Sequence, residues 1–105
     1  MKPIFPKDDR MNKTEAAYAE NLEAKKRAGV IVDWKFEAVK FRLADRTFYT
    51  PDFFVINPDT IELIEVKGFW RDDARVKIKV ARQMFPWFEW TAVQAYKGGW
   101  KYEEF

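Results

Sequence analysis

Apolar positions along the chain recur first at helical spacing, then in alternation, then at helical spacing again. Over Asn12–Ala28 the less polar stripe runs through Glu15, Tyr18, Ala19 and Leu22, at the three- and four-residue spacing of one helix face. Asn12 is a good N-cap, and Glu15 three residues later completes a capping box. Lys25, Lys26 and Arg27 suit the negative end of the helix dipole, and Gly29 supplies a stop. The opposite stripe, Ala16, Glu20, Glu23 and Arg27, is mostly charged, so Glu20 and Glu23 are expected to face water while Glu15 faces inward.

From Val30 to Leu43 the pattern alternates as a strand. Trp34 and Phe36 share one face, and after Ala38 the apolar residues switch to Val39, Phe41 and Leu43, which predicts a bulge or bend. Ala44–Arg46 reads as a turn into a second strand that starts near Thr47. Then comes a hairpin: Asp52–Ile56, the turn Asn57-Pro58-Asp59-Thr60, and Ile61–Lys67. Pairing Ile56 with Ile61 sets Asp52 opposite Glu65, and Lys67 projects from the same face. A second helix spans Arg71–Phe85, opened by Asp72 or Asp73 and ended by Pro86. Its inner stripe is Ala74, Ile78, Ala81 and Phe85, with Val80 and Met84 adding width, and Arg71, Arg75, Lys79 and Arg82 form a cationic side. Alternation returns over Trp87–Tyr96 as a last strand, and strand–helix–strand implies a right-handed parallel crossover. The expected architecture is α/β: an α-β-β-β-α-β core with a mixed central sheet flanked by helices.

Length and composition narrow the chemistry. At 105 residues the chain is read as one domain, residues 1–105, whose first 11 form an arm interrupted by Pro3 and Pro6, with Ile4 and Phe5 able to dock. It contains no cysteine, no histidine and no serine, which excludes disulfides, thiolate or imidazole metal sites and Ser-His-Asp catalysis. Net charge is only +2, too small to argue for nucleic acid by itself. Aromatic residues make up 18% of the chain, more than a minimal core needs, so some rings are expected at an interface. Trp70 and Trp100 are read as packing rather than as base-stacking platforms. No apolar run reaches membrane-spanning length and the N-terminus lacks the pattern of a secretory signal, so a soluble, cytoplasmic protein is expected, with no membrane partner.

The candidate chemistry lies in the hairpin. Asp52 and Glu65 side by side repel one another and resist burial unless something positive neutralises them. Lys67 offsets one charge. A divalent cation offsets the rest, and an all-oxygen donor set suits Mg²⁺ or Mn²⁺. The Val66 carbonyl, between Glu65 and Lys67, can add a ligand. Such a cation polarises a phosphoryl oxygen and acidifies bound water, and the lysine orients that water or offsets developing charge. Glu15 is a further acid for the site, although capping alone also explains it, and Glu20 is the next candidate.

Pro51-Asp52 followed by Glu65-Val66-Lys67, on two apolar strands and after an acid-bearing helix, resembles the signature of the PD-(D/E)xK nuclease superfamily. The longer strings "YTPDFFV" and "EVKGFW" with "DDARVK", and a second helix ended by proline, are similar to the phage endonuclease I group of Holliday-junction-resolving enzymes. That resemblance covers roughly Asn12 to Val93 and implies a Mg²⁺-dependent endodeoxyribonuclease. Asp52, Glu65, Glu15 and the Val66 carbonyl would be metal ligands, and Lys67 the catalytic lysine. Arg71, Arg75, Lys79 and Arg82 would contact DNA phosphates. The resemblance further implies a homodimer acting on branched DNA in recombination, phage-encoded and working in the host cytoplasm. The chain is short beside the larger enzyme and lacks its basic C-terminal extension. A nicking or double-strand endonuclease for repair, packaging or host-DNA breakdown, and a catalytically silent DNA-binding module, are the alternatives.

Overall fold

The computed structural model describes residues 10–68 and 72–105. Of the expected arm only Arg10 and Met11 fall among them, and Trp70 and Arg71 lie outside the described residues. In chain order the elements are α1 (Lys13–Arg27), β1 (Asp33–Phe36), β2 (Phe41–Ala44), β3 (Thr47–Tyr49), β4 (Phe53–Ile56), β5 (Ile61–Lys67), α2 (Asp72–Met84), β6 (Glu89–Tyr96) and β7 (Gly99–Glu104).

The first helix starts and stops as its sequence predicts. Asn12 Oδ1 accepts from the Glu15 amide and Glu15 Oε1 accepts from the Asn12 amide, both at 2.8 Å. At the other end Gly29, at φ 78°, lets its own N–H reach the Lys26 carbonyl and that of Val30 reach Lys25, at 3.0 and 2.9 Å. These are the two bonds of a Schellman cap.

Five strands form a mixed sheet in the order β1-β4-β5-β6-β7, and β2 with β3 forms a separate two-stranded sheet. Only the β5–β6 pair is parallel, joined through α2. Helix α1 covers one face over Tyr18, Leu22, Trp34, Phe53, Val55, Ile64 and Val93. Phe53 is the centre of that core: fully buried, with the rings of Tyr18, Trp34 and Phe36 at 5.4–5.8 Å. Helix α2 and the β2–β3 hairpin cover the other face over Leu63, Ile78, Ala81, Trp90, Phe41 and Tyr49.

Several expectations are corrected. The predicted strand over 30–43 is two strands in different sheets. Its switch of faces marks the place where Glu37, at φ 48°, turns the chain out of β1, so that Phe41 and Leu43 pack into the second core. The strand expected from near Thr47 is the short β3, and the hairpin strand expected over Asp52–Ile56 is β4. Glu23 does not face water: it is buried, and Trp34 donates its indole N–H to Glu23 Oε1 at 2.9 Å. Being four residues after Ala19, it borders the inward stripe, and the indole N–H supplies a donor to one of its oxygens. Met84 is exposed because the buried stripe of α2 is confined to Ile78 and Ala81, flanked by Val80. A further strand, β7, follows the one expected to be last. Lys97 and Gly98, both at positive φ, make the tight turn into it. Among the described residues no helix is long and apolar enough to cross a membrane.

Candidate active site

The β4–β5 hairpin has the predicted register, Ile56 against Ile61 through Phe53 against Ile64. Continued one step, it sets Asp52 opposite Glu65, and one step further it sets Pro51 opposite Val66. Proline has no N–H to donate to the ladder. The Val66 carbonyl therefore has no ladder donor at Pro51, and the Val66 N–H donates instead to Asp52 Oδ2, at 2.7 Å. The Asp52 carbonyl in turn accepts from the Glu37 amide at 2.8 Å, which ties the residue to the turn after β1. The Pro-Asp pair thus ends the ladder and bends a carboxylate back over it.

Asp52 and Glu65 are both about nine-tenths buried. Each Glu65 oxygen has a partner: the Tyr49 hydroxyl donates to Oε1 at 2.8 Å and Lys67 Nζ lies 2.7 Å from Oε2. A carboxylate offers about four lone-pair positions, so both oxygens retain capacity for a cation. Among the described residues no cation pairs with Asp52. Burial, and then the charge of Glu65, push it up to about 8; the Val66 N–H opposes this, and Glu15, within hydrogen-bonding reach, adds to it. A carboxyl in that state is mostly neutral at pH 7 and holds a proton that a metal ion would displace. Burial and the Glu65 charge also push the Tyr49 phenol far above its usual value, so it remains a donor.

One Glu15 oxygen caps α1, and the same carboxylate lies close enough to Asp52 to raise it. Glu20, the other candidate, is exposed. Among the described residues no group of three or more acids is gathered as a ready metal cage. The fit to a hard cation rests instead on two buried carboxyl groups, one of them bound to a lysine, and on a carbonyl without a ladder donor. Such oxygen donors suit Mg²⁺ or Mn²⁺.

On α2, Lys79 and Arg82 are exposed, whereas Arg75 is bound to Glu103 of β7. Trp100 is half-buried and meets Tyr18 edge-on at 5.0 Å, as packing requires. Sequence reasoning missed Tyr49 as a site residue. Its signal was a hydroxyl at the buried end of an apolar strand, where a partner is obligatory. It also missed Gln94, which donates to the Gly68 carbonyl at 2.9 Å and braces the chain just beyond Lys67.

No protein-family model, curated protein or solved structure matches this chain.

Proposed function

We propose that this protein is a metal-dependent DNA endonuclease of PD-(D/E)xK type, hydrolysing phosphodiester bonds in branched DNA. The observation that carries the reading is the buried pair of Asp52 and Glu65 with Lys67 bound to one of them. A structural role explains such a pair poorly, because two buried carboxyl groups with one counter-ion can stay together only if one of them keeps a proton well above its usual range. The element order adds support: without the β2–β3 hairpin and β7, it reduces to α-β-β-β-α-β.

Asp52, Glu65 and the Val66 carbonyl would hold Mg²⁺ or Mn²⁺, with Glu15 at the edge of the site. When bound, the cation would polarise the scissile phosphate and acidify water. The chain's own residues do the rest. Tyr49 fixes the Glu65 carboxylate so that its second oxygen meets Lys67. Lys67 places an ammonium beside the reacting phosphate, where it orients the attacking water and offsets charge on the phosphoryl oxygens. The burial of Asp52 and Glu65 keeps bulk water from screening these interactions.

Branched DNA and a homodimer follow from the resemblance to junction-resolving nucleases. The test is cleavage with Mg²⁺ of a four-way junction, a flap, a nicked duplex and a linear duplex of matched sequence. The junction is expected to be cut fastest. Equal rates on all four would reassign the enzyme to general nicking or double-strand cleavage.

A further inference from the structure

The proposed site lies at one end of the sheet, and the register extends that end sideways. Lys67 pairs with Gln94, and Gln94 with Lys101, so these three residues form a row across β5, β6 and β7. Paired residues share a face, which puts Lys101 on the face that carries Lys67. Tyr96, two residues beyond Gln94, projects there as well. Strands lie about 4.8 Å apart, so Lys101 starts about 10 Å from Lys67.

Two ammonium groups meet at Tyr96. Lys97 Nζ is 5.3 Å and Lys101 Nζ 5.6 Å from the ring centroid, and the ring itself is half exposed. Neither lysine forms an ion pair among the described residues. The nearest acid along β7 on that face, Glu103, is held by Arg75. Like charges gathered on one ring repel, and the ring quadrupole offsets only part of this. An anion bound beside the ring would offset the remainder. Lys97 sits at φ 47° in the turn, which fixes its backbone beside the ring. On its other face the turn borders an open groove of about 470 Å³ against the first turn of α1, lined by Lys13 and by no acid.

We infer that Lys97 and Lys101, held together on the Tyr96 ring, bind a backbone phosphate of the nucleic-acid strand that passes through the Asp52–Glu65 site. This rests on the nuclease reading above. A strand rising about 3.4 Å per nucleotide covers the offset of about 10 Å in about three steps. The subsite therefore takes a phosphate that close to the one being cut, by charge and without reading base sequence.

The experiment is fluorescence anisotropy of a labelled linear DNA duplex, titrated with full-length protein in EDTA over a range of salt. Wild type is expected to bind with a salt-dependent affinity. In Lys97→Ala/Lys101→Ala the affinity should fall at least tenfold at low salt, and the log–log salt slope should shrink by about one, as expected when one phosphate is no longer neutralised. Tyr96→Leu keeps both charges and should fall less, about threefold. The double variant Lys35→Ala/Lys40→Ala removes equal charge and takes Lys35 from the opposite edge strand; it should bind as wild type does. Thermal melts confirm folding, which substitution of these exposed side chains should leave intact. The inference is overturned if the Lys97/Lys101 variant keeps the wild-type slope, if the control falls equally, or if wild type does not bind. Because no metal is present, a protein that binds in this way yet never cleaves would overturn the nuclease reading alone.

Discussion

Tyr49 and Glu65, 16 residues apart and on different sheets, are joined by a buried 2.8 Å hydrogen bond. The β2–β3 hairpin therefore does more than cover the second core: it fixes a carboxylate of the candidate site. Groups that orient a metal ligand typically contribute 10- to 100-fold to metal affinity or activity. Tyr49→Phe is accordingly expected to weaken Mn²⁺ binding by about that factor. Titration calorimetry measures it, and unchanged affinity would make the bond merely structural.

The state of Asp52 predicts a pH dependence. Its carboxyl is raised from 3.8 to about 8, so over that window the folded protein binds more protons than the unfolded chain. Stability then falls as pH rises. In chelator, the melting temperature should decline from pH 4 to pH 8, and Asp52→Asn should remove much of the decline. Because binding a cation displaces the same proton, metal affinity should rise over the same window. A melting temperature that rises across it would refute the assignment.

Glu15 caps α1 and lies beside Asp52, and one substitution separates the cap from the proposed site role. Glutamine also completes a capping box, so Glu15→Gln should change stability little. It nevertheless removes the charge beside Asp52. Cleavage should fall by at least tenfold while the melt stays near that of wild type. If Glu15 is only a cap, cleavage will be unchanged.

Phe53 tests the fold on which the site stands. With three aromatic rings around a fully buried side chain, Phe53→Ala should cost about 3–5 kcal/mol in urea unfolding. A cost below about 1 kcal/mol would mean that this core is not packed as described.

Local signals made α1 and the β4–β5 hairpin legible in the sequence: a capping box, a terminal glycine and the turn at Asn57–Thr60 each act within a few residues. The hairpin register then brought Asp52 to Glu65 and aimed Lys67 without further information. What escaped depended on partners distant in the chain. Glu23 is charged and reads as solvent-facing until Trp34 supplies its donor. Tyr49 reads as core until the β2–β3 hairpin folds it over β5. The division of the stretch 30–43 between two sheets was visible as a change of face, but a bulge gives the same pattern. The strand β7 carried a Lys-Gly-Gly turn and alternating rings after the point where the last strand was expected to end.

The most direct measurement is Mg²⁺-dependent cleavage of a four-way DNA junction by wild type, Asp52→Asn and Lys67→Ala, with junction binding measured in parallel. The account predicts cutting by wild type only, and junction binding by all three proteins. Cleavage by either variant at the wild-type rate, or no cleavage by folded, DNA-binding wild type, would contradict it.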